Sequence, residues 1–485
     1  MFETVTSQVQ EARAAQTAWA AQPLVARLAV IARARRLIAQ HALELAAALG
    51  ERSGRTLSET LMYEVVTLAD ACAFLERAAP QLLAPRRLGS RGRPLLFMGV
   101  DSEVHRVPLG VVLVIGPSNY PLYLPGVQGL QALAAGNACV LKPGLGGSAS
   151  AQAFAKIMAQ AGLDPRLLPV TDETAEAGQA ALAAGVDKVI LTGSAATGAR
   201  VLESLASRLV PATMELSGCD AAFVLDGTAL NGVVRALRWG LRLNAGATCI
   251  APRRVFVEKP LALELEKRLA EATCTLPAVA VPEQVADRAI KMVSEARAAG
   301  ARQLAPVGDI CVSRTHGSVS FRPVLMADAR PEMNLLRSDI FAPVMSLVTV
   351  SNTGEALEQY AKCPFALGAS IFGPVDRARE LALRVRAGSV SVNDLIAPTA
   401  DPRVPFGGFG QSGFGVTRGA EGLLEMTALK TLSVHAGTFR PHYDDPREGD
   451  AQLFQTYLNA VHGPSWFGRA AHWVRLIRSM IKRGR

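Results

Sequence analysis

Residues 107 to 141 contain no Asp, Glu, Lys or Arg, and this uncharged stretch constrains the fold more than any other part of the sequence. Its length alone would suit a membrane-spanning helix. Proline and glycine interrupt it repeatedly, however, and a helix surrounded by lipid could not satisfy the backbone groups that such breaks expose. The interruptions are Pro108, Gly110, Gly116, Pro117, Pro121 and Pro125. We therefore predict a buried strand, a loop, a helix and a second buried strand.

The same alternation of apolar strand and Ala-rich helix continues along the chain. "GVVLVIG" and "ACVLKP" predict strands that flank the helix "PGVQGLQALAAG", and "DKVILTG" predicts another strand before the helix "AATGARVLESLASRL". A second series runs from "RRVFVE" to "GSVSVND". Fully apolar strands that alternate with helices are typical of a parallel, doubly wound sheet. The fold class predicted from the sequence is therefore α/β.

Composition excludes several classes of protein. The seven cysteines are scattered and never in CxxC spacing, which argues against a disulfide framework and a zinc site. The N-terminus lacks the apolar core of a signal peptide, so we expect a reducing, cytoplasmic compartment. The net charge of +9 is not gathered into a basic stripe with interleaved aromatic residues, so we expect no nucleic-acid partner.

Two kinds of segment are candidates for chemistry. "LKPGLGG" and "LTGSAATG" follow predicted strands, and ligands of such sheets bind beyond the carboxyl ends of the strands. Each glycine loop taken alone could equally be a plain turn. Cys249 follows Asn244, Ala245 and Gly246 in "RLNAGATCIAPRRVFVE", where it is either a small buried residue or a nucleophile on a loop.

The chain resembles the aldehyde dehydrogenase superfamily from its N-terminal helices to about Val434. The resemblance rests on the number and order of several motifs, each modest by itself: "PLGVVLVIGPSNYPL", "GNACVLKPG", "LTGSAATG", "MELSG", "NAGATC", "SDIFAPV", "GSVSVND" and "PFGGFGQSGFG".

The resemblance implies a doubly wound parallel-sheet cofactor domain, an α/β catalytic domain and a small oligomerisation element. We expect the NAD(P)-binding domain at residues 1–90 and 108–218 and the catalytic domain at 219–411. The oligomerisation element is expected at 91–107 and 412–436, and a C-terminal extension at 437–485.

The resemblance also implies three catalytic residues. Cys249 resembles the family nucleophile, and its thiol is expected to have a lowered pKa. Asn119 resembles the side-chain donor of the oxyanion hole, with the backbone N–H of Cys249 as the second donor. Glu215 resembles the general base that activates water to hydrolyse the thioester. The alternatives are a turn residue for Asn119 and a strand-end carboxylate for Glu215. No metal is implied.

For the cofactor, NAD or NADP, the resemblance implies six binding residues: Lys142, Gly193, Ser194, Gly198, Asp339 and Phe341. Leu145 stands where the family often has a glutamate that binds the ribose hydroxyls, so discrimination between NAD and NADP is expected to be weak. Asp339 is one methylene shorter than the usual glutamate. Val416 and Thr417 replace a usual Arg-Glu pair, and Ser217 replaces a usual glycine.

The implied reaction is oxidation of an aldehyde to the carboxylic acid through a cysteine thiohemiacetal and thioester. Residues near Leu122, Tyr123, Thr248, Ile250 and "NDLIAPTADPRVPF" are expected to line a mostly apolar tunnel, which favours a long aliphatic, isoprenoid or aromatic aldehyde. Arg403 is the one cation that could reverse that preference, although arginines in loops are usually solvated. The alternatives are a CoA-acylating or semialdehyde dehydrogenase, or a scaffold without activity.

Assembly and the C-terminus complete the expectations. The hairpin near Gly89–Pro108 and the segment Arg418–Val434 resemble the family's oligomerisation elements, which predicts a homodimer or homotetramer. The last twenty residues, "WFGRAAHWVRLIRSMIKRGR", contain six basic residues and no acidic one. They predict an amphipathic helix that either lies on the inner surface of a membrane or packs on the protein.

Overall fold

The structure, a computed structural model, describes residues 2–50, 55–315, 317–438 and 440–482. Its helices in chain order are α1 (Phe2–Ala21), α2 (Leu24–Gln40), α3 (Ala42–Ala48), α4 (Leu57–Thr60), α5 (Thr67–Leu82), α6 (Tyr123–Ala135), α7 (Ser148–Gln160), α8 (Ala175–Ala183), α9 (Ala195–Ala206), α10 (Leu230–Arg242), α11 (Lys259–Cys274), α12 (Glu283–Ala298), α13 (Thr353–Ala361), α14 (Val375–Arg384), α15 (Gly419–Leu424), α16 (Asp450–His462) and α17 (Trp466–Lys482). A π-helical turn, Leu61–Val66, joins α4 to α5.

Its strands are β1 (Arg86–Arg87), β2 (Val100–Pro108), β3 (Val111–Ile115), β4 (Ala138–Lys142), β5 (Lys188–Gly193), β6 (Ala212–Leu216), β7 (Asp220–Val224), β8 (Pro252–Glu258), β9 (Val279–Pro282), β10 (Arg302–Ala305), β11 (Cys311–Thr315), β12 (Ser318–Phe321), β13 (Val324–Ala327), β14 (Val344–Val350), β15 (Phe365–Ala366), β16 (Gly368–Phe372), β17 (Ser389–Val392), β18 (Phe409–Gly410), β19 (Gly413–Phe414) and β20 (Thr427–His435).

The first sheet has the order β19-β6-β5-β3-β4, and its last four strands are parallel. All five residues of β3 are buried, as the apolar run in the sequence predicts. In a parallel sheet the carboxyl ends of the strands lie at one edge. That edge therefore carries Lys142, Gly193 and Glu215 together with the loop that follows β3 and contains Asn119.

The second sheet has the order β10-β13-β14-β8-β7-β16-β17 and is parallel except for β10. Cys249 lies in the loop that enters β8, and Asp339 lies in the loop that enters β14. These two strands are neighbours, so the second sheet brings its two candidate residues to the same edge.

The uncharged stretch forms β3, a loop, α6 and β4, and every residue of α6 is buried. The strand–helix–strand prediction is therefore correct. None of the helices among the described residues combines the length and the apolar character that crossing a membrane requires.

The chain forms two compact units. One comprises the described residues of Met1–Ala84 and Arg106–Ala428, and the other those of Pro85–His105 and Leu429–Arg485. A small sheet has the order β1-β2-β20. Of the expected oligomerisation element, residues 412–428 belong to the first unit, in which β19 pairs with β6.

Candidate active site

Two cavities meet at Cys249 and Glu215. The apolar cavity has a volume of about 610 Å³. The sheet-edge cavity, of about 460 Å³, lies at the carboxyl ends of β5 and β6. Cys249, Glu215 and Leu124 line both cavities. A reagent in either cavity can therefore reach the same thiol and the same carboxylate.

The loop before Cys249 is a tight turn of three residues in the left-handed region. The φ angles are 50° at Asn244, 53° at Ala245 and 77° at Gly246. A side chain on Gly246 would lie 2.5 Å from the backbone of Ala342, so only glycine fits there. The buried Arg253 donates to the carbonyls of both Gly246 and Ala342 and ties the two loops together. The turn thus fixes the position from which Cys249 enters the site.

Asn119 lies against this loop. Its Nδ2 donates to the carbonyl of Ala247 at 3.0 Å, and its Oδ1 accepts the N–H of Tyr120 at 3.0 Å. Asn244 donates to the carbonyls of Asn119 and Ala247, at 3.3 and 2.9 Å. The amide nitrogen of Asn119 carries two hydrogens, so one remains for an oxyanion beside Cys249.

Glu215 is buried at the end of β6. Thr417 Oγ1 donates to its Oε2 at 2.8 Å, while its buried Oε1 has no hydrogen-bond partner among the described residues. Burial raises the pKa of Glu215, and the positive charge of Arg418 and the Thr417 hydrogen bond partly oppose this shift. One carboxylate oxygen is thus held and the other is available to accept a proton. Sequence reasoning noted Thr417 only as a departure from the family and missed this contact.

The predicted lowering of the Cys249 pKa is wrong for the protein without its ligands. Burial raises the pKa of the thiol, and the nearby carboxylates of Glu215 and Asp220 raise it further, against the charge of Arg418. Cys249 is only partly exposed, at the point where the two cavities meet, and this partial burial beside two carboxylates disfavours the thiolate.

The predicted cofactor residues divide into two sets. Gly193, Ser194, Asp339 and Phe341 line the sheet-edge cavity, while Lys142 and Gly198 do not line it. Ser194 caps α9, because its Oγ accepts the N–H of Thr197 at 3.2 Å. The first N–H groups of α9 thus face this edge of the sheet, as at other helix termini that bind anions.

Lys142 and Gly198 have other surroundings. Lys142 is partly buried at the end of β4, and burial lowers its pKa, against the negative charges of Glu173 and Asp172. A side chain on Gly198 would lie 2.9 Å from Leu216, so this glycine allows α9 to pack closely on β6. The role of both residues in cofactor binding stays a prediction.

Asp339 and Ser217 form a pair that replaces two usual family residues together. Burial raises the pKa of Asp339, and a hydrogen bond from the Ser217 side chain together with the charge of Arg253 opposes that shift. Asp339 Oδ1 is buried without a hydrogen-bond partner in the described part of the chain. Asp339 is shorter than the usual glutamate, while Ser217 is longer than the usual glycine and bonds to it. Asp339 Oδ1 is still available as an acceptor.

The apolar cavity is lined largely as predicted, by Tyr123, Thr248, Ile250 and residues of the 393–406 loop, but Leu122 is not among the lining residues. Sequence reasoning missed a further wall, formed by the π-helical turn and the start of α5, because its residues are distant in sequence: Met62, Tyr63, Val66, Thr67 and Asp70.

The cation that reaches the apolar cavity is Arg418, whereas Arg403 is largely exposed and paired with Asp401 at 2.5 Å. The Arg418 guanidinium is buried, donates to the Tyr123 hydroxyl at 3.2 Å and stacks 4.2 Å from the ring centroid of Phe406. Arg403 is therefore solvated, as arginines in loops usually are. A charged residue inside the glycine-rich "GFGVTRG" was the available signal.

Comparison with known proteins identifies the class. The aldehyde dehydrogenase family profile matches residues 2–432. A Mycobacterium tuberculosis protein provisionally named succinate-semialdehyde dehydrogenase NADP(+) 2 is 32% identical over 439 residues, covering 87% of this chain and 83% of that protein. A betaine aldehyde dehydrogenase of Rhizobium etli is 30% identical over 455 residues, covering 90% and 91%.

The solved structures agree. An NAD-dependent aldehyde dehydrogenase from Sinorhizobium meliloti matches with a TM-score of 0.84 and 25% identity, covering 91% of this chain and 89% of that one. The chain belongs to the aldehyde dehydrogenase family. The family, the fold class and the enzyme class predicted from the sequence are confirmed.

Proposed function

We propose that this protein oxidises an aldehyde to the carboxylic acid with NAD or NADP. The observation that carries the proposal is that Cys249 and Glu215 line two cavities at once. One cavity suits the aldehyde, and the other lies where nucleotides bind in sheets of this kind. The relatives named for NADP and NAD support the same cofactors.

The sheet-edge cavity has donors and acceptors that fit a dinucleotide. The N-terminus of α9, with Gly193 and Ser194, suits the pyrophosphate, and the unpartnered Oδ1 of Asp339 suits a ribose hydroxyl. When bound, the nicotinamide cofactor accepts the hydride from the substrate carbon.

The chain's own residues perform the covalent steps. The Cys249 thiolate adds to the aldehyde carbon, and the carbonyl electron pair moves to oxygen as a C–S bond forms. The second N–H of Asn119 Nδ2 and the Cys249 backbone N–H stabilise this oxyanion. Departure of the hydride leaves a thioester on Cys249.

Glu215 completes the turnover. Its free Oε1 accepts a proton from water as the water oxygen attacks the thioester carbon. The C–S bond then breaks, which releases the carboxylic acid and restores the Cys249 thiolate. A base in this position favours water over CoA as the second nucleophile, because a thiolate that arrives already ionised needs no base.

A panel of aldehydes tests the activity. The purified full-length protein should reduce NAD or NADP in the presence of at least one aldehyde and release the carboxylic acid without added CoA. Failure with every aldehyde, or strict dependence on CoA, would contradict the proposed reaction.

The substrate is proposed to have an apolar body. Leu124, Trp239, Ile250 and Phe406 line the cavity, and this lining favours a long aliphatic, isoprenoid or aromatic aldehyde. In the panel, kcat/KM should rise with chain length, because each buried methylene contributes about 0.8 kcal/mol.

Arg418 favours a second candidate, a semialdehyde that carries a carboxylate. Its buried Nε has no hydrogen-bond partner among the described residues, and a carboxylate is the partner that a buried guanidinium prefers. The provisional name of the mycobacterial relatives supports this candidate.

Two variants separate the candidates. If Arg418 binds a substrate carboxylate, Arg418→Met should lower kcat/KM at least about tenfold more for a carboxylated aldehyde than for a neutral one of equal length. Arg403→Met, which removes an exposed cation, should leave kcat/KM unchanged for both aldehydes. Equal losses for both aldehydes would instead indicate that Arg418 acts by stabilising the ionised forms of Glu215 and Cys249.

A homo-oligomer is proposed from the small sheet. Strand β20 lies at its edge and is nine residues long, and the side chains of Leu429, Leu432 and Val434 are exposed. A long exposed edge strand offers unpaired backbone groups to a partner. A second copy of the chain, adding its own strand, would cover them.

Contact with a membrane surface is proposed for α17. On one side of this helix Trp466, Phe467, Val474, Ile477 and Ile481 are exposed, and the basic residues Arg475 and Arg478 lie next to them. A cationic helix with an exposed apolar stripe and a tryptophan is typical of helices that lie in the headgroup region. An apolar aldehyde would be delivered from the same surface.

Flotation with vesicles tests this contact. The full chain should float with vesicles that contain anionic lipid, and Ile477→Asp should float less. Leu383→Asp, which places the same charge at another exposed apolar position, on α14, should not differ from the natural sequence. Equal flotation of Ile477→Asp and the natural chain would contradict the proposal.

A further inference from the structure

A buried ion pair outside the reacting groups holds the loop that carries Asn119. Arg55 and Glu64 are bonded at 2.8 Å, and their side chains are 1% and 0% exposed. Neither residue belongs to the catalytic set described above. Two charges so completely removed from water are costly to bury, and their value often lies in fixing one arrangement of the chain.

Each partner of the pair also binds the backbone of the Asn119 loop. Arg55 Nη2 donates to the carbonyl of Asn119 at 2.8 Å. Glu64 Oε2 accepts the N–H groups of Leu122 and Tyr123, at 3.2 and 2.8 Å. These N–H groups stand at the start of α6, where a carboxylate is favoured by the helix dipole. The pair therefore holds both ends of residues 119–123 through backbone hydrogen bonds.

The ion pair also contacts the loop of Cys249 indirectly, through Tyr120. The Arg55 guanidinium lies 4.6 Å from the ring centroid of Tyr120, and the Tyr120 hydroxyl lies 2.9 Å from Thr248 Oγ1. Thr248 directly precedes Cys249. Arg242, at the end of α10, also pairs with Glu59 in the same N-terminal segment at 2.6 Å.

We propose that Arg55 and Glu64 are positioning residues, which hold the Asn119 amide at the distance from Cys249 that oxyanion stabilisation requires. This inference rests on the proposed aldehyde oxidation. Oxyanion donors act only when they are held in place before the charge develops, so a loosened loop should slow the first chemical step more than it weakens substrate binding.

The test is a double-mutant cycle with Asn119. Arg55→Lys keeps the charge and loses the forked donor, and Glu64→Gln keeps the shape and loses the charge. Each should slow the first-turnover reduction of the cofactor by about tenfold or more, with KM for the aldehyde changed less than about threefold. In an Asn119→Ala background the same changes should slow it by less than about twofold.

Arg35→Lys is the matched control. Arg35 pairs with Glu76 at 2.6 Å on α2 and α5, does not line either cavity, and should leave the first turnover unchanged. Equal fold losses with and without Asn119 would overturn the inference, because they would give the pair a role that does not act through the amide. Absence of any first turnover in the natural chain would contradict the proposed function instead.

Discussion

In the proposed reaction Cys249 and Glu215 both act in the ionised form, at a site that disfavours ionisation. Burial raises the pKa of each, and the negative charge of Glu215 raises the pKa of Cys249 further. Arg418 is the buried cation whose charge favours both ionised forms. Single substitutions that change these charges or hydrogen bonds should therefore change the pH dependence of the proposed reaction.

Glu215→Gln should separate the two halves of the reaction. The amide cannot accept the proton of water, so hydrolysis of the thioester should slow by about 10²- to 10⁴-fold, while thioester formation is affected less. Rapid mixing should record a burst of reduced cofactor, near one equivalent per site, followed by slow turnover. A uniform loss without a burst would give Glu215 a structural role.

Thr417→Val should shift the pH dependence. The change keeps the shape of the side chain and removes the hydrogen bond to the ionised Glu215, so the pKa of Glu215 should rise further. A general base acts when deprotonated, so activity is lost as pH falls through its pKa. The acid limb of kcat should therefore move to higher pH. Thr273→Val, a buried change on α11, should leave the limb in place.

At the scale of elements, the site depends on strand ends that meet. Apolar runs predicted β3, β4 and β5 because strand burial is recorded locally in the sequence, and the motifs located Cys249 and Glu215. Arg55 and the wall near Met62 could not be predicted, because they reach the site through contacts between distant segments, and Arg418 was missed although a charged residue in a glycine-rich motif marked it. The direction of the Cys249 pKa shift was mispredicted for the same reason, because burial and neighbouring charges depend on the folded surroundings.

We expect the residues that follow β4 to govern discrimination between NAD and NADP. Leu145 is exposed there and has no carboxylate to bind ribose hydroxyls or repel a 2′-phosphate, so kcat/KM for NAD and NADP should differ by less than about a hundredfold, about 2.7 kcal/mol. Leu145→Glu should raise the preference for NAD. Leu209→Glu, which adds the same charge at an exposed position before β6, should not. A stronger NAD preference in the natural chain would show that another group, such as Glu173, discriminates.

At the scale of the whole molecule, the matched family region ends at 432, and the second compact unit includes the residues beyond it. This unit has the exposed edge strand β20 and the helices α16 and α17. Assembly and surface contact are thus proposed for a part of the chain that carries none of the predicted catalytic or cofactor-binding residues.

The assembly proposal predicts a homodimer or homotetramer at micromolar concentration in light scattering. Leu432→Pro removes a backbone donor from the middle of β20 and should shift the mass toward the monomer. The control is Leu383→Lys, an exposed change on α14, which should leave the mass unchanged. A monomeric natural chain would contradict the proposal.

In the proposed reaction Cys249 carries the acyl group during turnover. The most direct measurement is the intact mass of Glu215→Gln, quenched in acid after reaction with an oxidisable aldehyde and cofactor. We expect a mass increase of one acyl group, located on Cys249 by peptide mapping and missing from Cys249→Ala/Glu215→Gln. An acyl group on another residue, or normal turnover by Cys249→Ala, would contradict it.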